Sequence, residues 1–538
     1  MRTRPFPRLW RLLFKSFIFK CSAVAALFGG LAAAQPVILA LQNNYSYTYP
    51  GLPNYAISQG ALFDIFGAGL AADATLLQTP PLNTSLNTVT VNVTVGGVTV
   101  NPPLYYLSPN QIAAIMPSAT PLGKGQITVT YNGATSAAFA VTIAPSAFGF
   151  LTWNNAGMGA AAAFDQNGNM LTFSNAANPG DEVLFWGSGL GAAPGNDGDW
   201  QTQQNLTGIP IDVKIGGISA QVNYQGRSIY PGVDQIKAVI PPGVQGCRTS
   251  VVVRSGDIVS NFATIPVAAS GRACSDLTTG LTSQITSAIG QQATVRTGNV
   301  VLGTNITFGS SGASSTSYTA SSAFQNYSGI QFLAAPTAAA SMGSCVVYTA
   351  LGPGLRIPPG FSPAYLNAGS SVNVTGATGT VPLSYDRGVY DSPVFPLVIP
   401  NGGGSFAISN GGGGTDVGPF SVNLTIPPSL VWTNRPSVTT VNRPEGVTVT
   451  WSGGDPGSYV QISGGSSTAA GPRAFFGCAA PVSAGSFTVP AEVLLSLPAA
   501  QGFLAVADFV NPQPFSAANL DTGYATGYVS YISTVAFQ

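Results

Sequence analysis

The chain has 538 residues, of which 45% are hydrophobic and only 7% are charged, and its formal net charge is zero. This apolar content argues against a disordered chain. The complete absence of histidine excludes Ser-His-Asp and Cys-His catalysis and histidine-ligated zinc. Abundant glycine (65) and proline (41) favour tight turns between short strands over long helices.

Charge is concentrated at the start of the chain. Six of the 19 basic residues lie in the first 20 positions, and no acidic residue precedes Asp64. An apolar run and an Ala-x-Ala site follow, so residues 1–34 read as a secretory signal peptide cut after Ala34. A transmembrane anchor is the alternative, but the run of about 13 residues is shorter than the roughly 20 that a spanning helix needs.

We therefore expect an exported protein, secreted or on the cell surface, with no membrane span once the signal peptide is removed. The remaining chain carries 13 basic and 19 acidic residues and has no basic patch. A nucleic-acid partner is not expected for such a surface.

Two stretches of the chain repeat each other at an offset of about 120 residues. Phe63–Leu70 (FDIFGAGL) returns as Val183–Leu190 (VLFWGSGL), and Gln111-Ile112 returns as Gln235-Ile236. The repeat predicts two homologous domains, at 57–146 and 150–269, with 35–56 as a lead segment before them.

Within each repeat the apolar residues alternate with polar ones. Thr88–Val95 (TVTVNVTV) alternates over eight residues, and Ser250–Arg254 (SVVVR) is similar. Gly96-Gly97 and Gly216-Gly217 lie where a hairpin turn requires positive φ. Short strands with closely spaced turns predict an all-β fold of tandem immunoglobulin-like β-sandwich domains.

After residue 269 the pattern changes. Residues 270–292 carry four apolar residues at spacings of four, Leu277, Leu281, Ile285 and Ile289, which predicts one short linker helix. Strand-like alternation then resumes. We expect two further β-sandwich domains, at 293–433 and 434–538.

Export gives the cysteines a structural interpretation. Four remain after residue 34, namely Cys247, Cys274, Cys345 and Cys478. Four cysteines allow three pairings. The pairing Cys247–Cys274, with Cys345–Cys478 by elimination, is favoured because it closes a short loop, and buried free thiols are the alternative.

The second repeat resembles an uncharacterised C-terminal domain family of secreted acidobacterial proteins, such as those of Solibacter. The resemblance rests on ordered motifs at Asn178–Asp181, Gly187–Leu190, Tyr230–Ile236 and Pro241–Val244. It covers 150–269 well and the first repeat more loosely. It implies an immunoglobulin-like, IPT/TIG-like sandwich and assigns no catalytic residues.

No motif in the chain predicts a catalytic, metal or cofactor site. Asp165-x-Asn167-x-Asn169 begins like a calcium loop but lacks its later glycine and glutamate, so a hairpin turn is the better interpretation. Gly187–Leu190 lacks the third glycine of a dinucleotide fingerprint. Asp181 and Glu182 are adjacent on a strand and point to opposite faces. We expect neither enzyme activity nor a cofactor.

Aromatic residues in apparent loops are the remaining candidates for ligand contact. They are Tyr45, Tyr47, Tyr49, Trp153 and Trp200. Packing within a sandwich is the favoured interpretation of such rings, and stacking on sugars is the alternative.

The sequence therefore predicts a non-enzymatic extracellular protein with a structural, adhesive or partner-binding role, facing a protein or a polysaccharide surface. Two alternatives stay open, a carbohydrate-binding protein that uses loop aromatics and a carboxylate-dependent glycosidase.

Overall fold

The computed structural model describes most of the chain beyond residue 34, namely 35–73, 75–309, 312–335, 339–351, 360–392, 397–400, 403–469 and 471–538. The predicted signal peptide lies outside these residues. Strands dominate the described chain, and its α-helices are short, so the predicted all-β, multidomain fold is confirmed.

The first sandwich contains twelve strands and pairs them in two sheets. One sheet has the order β1-β3-β9-β8-β4, and the other has the order β2-β12-β10-β6-β5, with β7 on β6 and β11 on β10. Strands β1 to β12 are Val37–Asn43, Ile57–Ser58, Leu62–Ala68, Leu76–Leu77, Ser85–Leu86, Val89–Val95, Val98–Val100, Leu104–Leu107, Gln111–Ile115, Gly123–Tyr131, Ala134–Thr135 and Phe139–Ala144.

Strand β6 shows why the alternating pattern folds this way. Its four valines are buried in the core of the sandwich, and the threonines and asparagine between them face outward. The strand ends at Gly96 and Gly97, whose φ angles of 56° and 81° form the predicted tight turn into β7.

The second sandwich also contains twelve strands, β13 to β24. They are Gly149–Phe150, Gly159–Ala160, Ala163–Phe164, Glu182–Ser188, Gln204–Asn205, Asp212–Ile215, Ile218–Ser219, Val222–Arg227, Asp234–Val239, Gly246–Ser255, Ile258–Val259 and Ala263–Val267. The sheet orders are β13-β16-β21-β20-β17 and β14-β24-β22-β18-β19, with β15 on β16 and β23 on β22.

These orders repeat those of the first sandwich. In both, a two-residue strand (β2 or β14) pairs in parallel with the last strand, β12 or β24. The predicted tandem arrangement is therefore confirmed at the level of topology. The first sandwich begins before residue 57, because β1 in the lead segment pairs with β3.

The segment between the second sandwich and the C-terminal unit is partly helical. A 3₁₀ turn covers Leu277–Thr279, and helix α1 covers Ser283–Ile289. The predicted helix is thus shorter than its apolar spacing indicates. Gly280 has a left-handed φ of 68° that ends the first turn, and the Thr282 side chain caps the second.

The C-terminal unit contains strands β25 to β42 and helices α2 and α3, Gly329–Ala334 and Ala491–Leu495. The strands are Thr294–Phe308, Ser314–Ser328, Cys345–Leu351, Ala364–Tyr365, Ser371–Gly376, Gly379–Asp386, Val389–Asp391, Gly404–Ser409, Ser421–Ile426, Val431–Trp432, Thr440–Val441, Val447–Ser452, Tyr459–Ser467, Pro472–Pro481, Ser486–Val489, Gln501–Phe509, Gln513–Phe515 and Thr522–Phe537. Further 3₁₀ turns cover Arg435–Ser437, Arg443–Glu445 and Val482–Ala484.

One fifteen-stranded sheet runs through both parts of this unit. Strand β25 pairs in parallel with β42, from Thr297 opposite Thr522 to Phe308 opposite Ser533. Strand β27 pairs with β38. Each of the two hydrophobic clusters of this unit contains residues from both 293–433 and 434–538. Cys345 and Trp432 belong to the cluster of Val460, and Val510 and Phe515 belong to the cluster of Leu424.

Both predicted disulfides are present, Cys247–Cys274 and Cys345–Cys478. The first ties strand β22 of the second sandwich to the segment that follows this sandwich, and the second joins neighbouring strands β27 and β38. The sequence separations are 27 and 133 residues.

We expect the longer disulfide loop to stabilise the fold more. Chain entropy gives about 3.5 kcal/mol for the Cys247–Cys274 loop and about 5 kcal/mol for the Cys345–Cys478 loop. Urea unfolding should therefore show a larger loss of unfolding free energy for the double variant C345S/C478S than for C247S/C274S. The reverse order would contradict this account.

Candidate functional site: the joint between the first two sandwiches and the Trp200 ledge

The Gly-Ser-Gly-Leu segment of the second sandwich, Gly187–Leu190, forms hydrogen bonds with residues of the first sandwich. The Ser188 hydroxyl accepts a hydrogen bond from Leu62 N at 2.8 Å and donates to Gly232 O at 2.6 Å. The Ser58 hydroxyl donates to Gly189 O at 2.8 Å. A Gly-x-Gly-Leu segment that both repeats share is thus, in the second repeat, a contact point between the two domains.

A buried ion pair lies directly behind this contact. Arg227 and Asp234, 1% and 0% exposed, form a salt bridge between the neighbouring strands β20 and β21. The Asp234 carboxylate also accepts hydrogen bonds from Gly189 N and Leu190 N at 2.7 and 2.8 Å. Burial raises the pKa of Asp234, and the positive charge of Arg227 opposes that rise.

The guanidinium of Arg227 fills space next to Gly60 of the first sandwich. A Cβ atom at Gly60 would lie 1.7 Å from Arg227 Nη2, so only glycine fits there. Gly60 also has a φ of 70°, which disfavours any other residue. The same guanidinium donates to Gly191 O at 2.5 Å. Arg227 therefore fits against both sandwiches at once.

The first sandwich lacks these polar groups at the matching positions. Ala68 replaces Ser188 and Asn110 replaces Asp234 in the aligned repeat. Ala68 is exposed, whereas Ser188 is fully buried. The two repeats share a topology, but only the second carries the chemistry that docks it onto a preceding domain.

Apolar and aromatic side chains complete the joint. The buried members of this cluster are Tyr45, Leu62, Leu82, Tyr105, Ala113, Ile115, Trp186, Tyr230 and Val233. Tyr45 is 3% exposed and lies near both Asp64 and Asp234, whose negative charges add to the effect of burial and raise its pKa. The joint therefore has a dry aromatic centre with charged groups beside it.

A loop of the second sandwich, residues 191–203, reaches across the joint. Leu82 N donates to Gly198 O at 2.8 Å, and the Asp197 carboxylate accepts from Ser118 N and Oγ, both at 2.7 Å. On its own side the loop is held by Gln201 N, which donates to Ile229 O at 3.0 Å. The loop is thereby held to the first sandwich on one side of Trp200 and to its own sandwich on the other.

This loop presents Trp200, which is 52% exposed. Its ring packs against Tyr230, with ring centroids 5.9 Å apart, and Ile229 beside it is 45% exposed. We call Asp199–Gln203 together with Ile229 and Tyr230 the Trp200 ledge. An exposed indole on a fixed loop is suited to contact with a ligand surface.

The other four candidate aromatics are not part of the Trp200 ledge, although Tyr45 packs in the same cluster as Tyr230. Tyr45 and Tyr49 are 3% and 9% exposed, so their rings are packing residues that leave no face for a ligand. Tyr49 lies in the core cluster shared by the second sandwich and the C-terminal unit. Tyr47 is partly exposed, and Trp153 is partly buried edge-on against Phe164 at 5.7 Å. The structure does not bring these five residues together in one site.

A second concave feature lies between the second sandwich and the C-terminal unit. This cleft of about 340 Å³ is lined by Gly216, Thr249, Phe262, Phe487 and Glu492, among others. Beside it, Lys214 Nζ lies 3.0 Å from the buried Glu492 Oε1 and links β18 to α3. No sequence pattern predicts this cleft, because its two walls are about 270 residues apart along the chain.

The buried carboxylates of the described chain have structural partners. Asp276 accepts from Cys247 N, Asp508 accepts from Leu430 N, and Glu492 pairs with Lys214. Over the described ranges, no three acidic or cysteine side chains cluster as metal ligands would. The Asp165 carboxylate accepts from Asn167 N and Asn169 N and closes a turn. No helix within the described part of the chain is long and apolar enough to span a membrane.

No known family model matches the chain, and no curated protein matches its sequence. The acidobacterial resemblance therefore stays a prediction. Among solved structures, the chain is similar to SGBP-B of the Bacteroides ovatus mixed-linkage glucan utilization locus, in complex with a mixed-linkage heptasaccharide. The identity is 11%, with 83% of this chain and 96% of that chain covered and a TM-score of 0.13.

Two further solved structures show the same level of likeness. Domains 5–6 of the S-layer protein SbsC are 13% identical, with 43% and 98% of the chains covered and a TM-score of 0.16. A gamma-CGTase from an alkalophilic Bacillus clarkii is 11% identical, with 69% and 37% covered and a TM-score of 0.16. TM-scores this low do not indicate a shared overall arrangement.

Asp64 gives the joint a predicted pH dependence. Burial raises the pKa of this carboxyl to about 7, although hydrogen bonds from Gln111 and Asn44 oppose the rise. Since the unfolded chain ionises near pH 4, the folded state binds the extra proton between pH 4 and 7, and stability falls as pH rises through that window.

We expect the free energy of unfolding of wild-type protein to fall by about 2.5 kcal/mol more than that of the D64N variant between pH 5 and pH 8. Urea unfolding of the transition that includes the first sandwich measures this difference. Equal pH dependence in the two proteins would show that Asp64 ionises normally.

Proposed function

We propose that the protein is an extracellular, non-enzymatic binding module whose first two sandwiches form one rigid unit that presents the Trp200 ledge to a partner. The observation that carries this proposal is the double role of loop 191–203. The loop bonds to the first sandwich through Asp197 and Gly198, and it holds Trp200 half exposed.

Rigidity supports a binding role. A surface that is already ordered pays little conformational entropy when a partner binds. The hydrogen bonds of loop 191–203 and the buried pair Arg227–Asp234 fix the ledge before binding. A spacer that only separated other domains would not need an exposed tryptophan held in this way.

The compartment and the absence of catalysis rest on other observations. Two disulfides are typical of proteins that fold in an oxidising compartment, in agreement with the predicted signal peptide. The chain has no histidine, and its buried carboxylates accept structural hydrogen bonds or ion pairs. A carboxylate-dependent glycosidase would instead need two acidic groups facing one substrate site.

The proposal is tested by measuring binding of the labelled protein to envelope preparations of the producing bacterium. We expect saturable binding that weakens when the loop is released by the pair of changes S118A and D197N. The control V431A alters a 59% exposed apolar residue of the C-terminal unit and should bind normally. In parallel, a panel of polysaccharide, ester and peptide substrates should give no product.

Two results would overturn this proposal. One is product formation by the wild type that is lost when a carboxylate is substituted. The other is envelope binding that is absent, or that is unchanged when loop 191–203 is released although the variant keeps its thermal stability.

A further inference from the structure

The Trp200 ledge carries information about the chemistry of its partner, and this inference rests on the proposed binding function. The exposed apolar part of the ledge is small, because it consists of Trp200 and Ile229 alone. Protein partners ordinarily bury about 800 Å² on each side around a well-packed apolar centre. A single ring with a polar border suits a narrower ligand.

The border of the ledge consists of amides and hydroxyls. Gln201, Thr202 and Gln203 follow Trp200, and the Gln203 amide donates to Gln235 Oε1 at 3.1 Å. Gln201 Nε2 donates to the carbonyl oxygens of Asn196 and Asp199, both at 2.8 Å, which fixes this side chain. Such groups are hydrogen-bond partners for a ligand rich in hydroxyls.

The electrostatics of the ledge disfavour anionic ligands. Residues 191–213 contain no lysine or arginine. They contain three acidic residues, Asp197, Asp199 and Asp212. The positive charge nearest to this loop in the hydrogen-bond network is Arg227, which is buried and neutralised by Asp234. Nucleic acids, phosphorylated lipids and acidic polysaccharides would meet uncompensated negative charge here.

The ledge is also preorganised as a stacking platform. Tyr230, 9% exposed, supports the Trp200 ring from behind, and Gln201 N fixes the loop to Ile229. The ring of a neutral sugar has an apolar C–H face that can lie on an indole, while its hydroxyls reach the surrounding amides. We infer that the Trp200 ledge binds a neutral polysaccharide, with one sugar ring stacked on Trp200.

The test uses the whole protein and insoluble polysaccharides as probes. Neutral probes are cellulose, starch granules, xylan and curdlan, and the anionic probe is cross-linked polygalacturonate. We expect at least one neutral probe to deplete the protein from solution and to change its tryptophan fluorescence. The W200A variant should bind that probe at least tenfold more weakly, since it loses the stacking surface.

A matched control distinguishes binding by the Trp200 ledge from non-specific adsorption through any exposed aromatic ring. Tyr365 of the C-terminal unit is 48% exposed, so Y365A removes an equally exposed ring elsewhere and should bind like the wild type. The thermal midpoint of W200A should match the wild type, because half of the ring is in solvent.

Three results would overturn the inference: no neutral probe retains the wild type, W200A binds as well as the wild type, or only polygalacturonate retains the protein. Binding to envelope preparations treated with protease or with glycosidases shows whether only the sugar-binding inference fails or whether the proposed binding function fails too. Binding that survives glycosidases but not protease would indicate a protein partner on the same rigid unit.

Discussion

The arrangement of the first two sandwiches depends on one buried ion pair, Arg227–Asp234. Two charges in a dry interior stabilise a fold only when their geometry and remaining hydrogen bonds are satisfied, and removing one partner costs about 3–5 kcal/mol. Here Gly189 N, Leu190 N and Gly191 O supply the remaining bonds. These partners all belong to the second sandwich, and Gly60 of the first sandwich lies directly against the guanidinium, so the docked first sandwich covers the pair.

Charged residues are rare in this chain, so the places where they form ion pairs show which contacts depend on charge. Only 7% of the chain is charged, and two ion pairs of the described residues, one fully buried and one partly buried, lie at different places in the fold. Arg227–Asp234 lies at the joint between the first two sandwiches, and Lys214–Glu492 connects the second sandwich to the C-terminal unit. These two ion pairs thus lie where domains meet, while the hydrophobic clusters of the two sandwiches are built mainly from valine, isoleucine, leucine, alanine and phenylalanine. The result is an array whose domains have defined relative positions and whose surface is nearly neutral.

Local patterns were enough to predict the sandwiches but not the way they join. The alternation in Val89–Val95 and the Gly96-Gly97 turn specify a hairpin on their own, and the repeat offset implies one topology used twice. No local pattern predicts the contact of Ser188 with Leu62 or that of Arg227 with Gly60, since the partners lie more than 100 residues apart in sequence. Tyr45 and Tyr49 are buried, as the favoured packing interpretation expects, but the residues that cover Tyr45 come from distant parts of the sequence. Only Trp200, among the five candidate aromatics, combines an exposed ring with a fixed loop.

We expect the Arg227–Asp234 pair to hold the first two sandwiches together as one rigid body. Distance measurements between spin labels test it directly, with labels at V98C and I218C, two exposed positions on equivalent hairpins. We expect one narrow distance distribution in the otherwise native protein and a broad distribution in R227M. The control R254M removes only an exposed ion pair with Asp257 and should keep the narrow distribution. A broad distribution in the native protein, or a narrow one that R227M leaves unchanged, would contradict it.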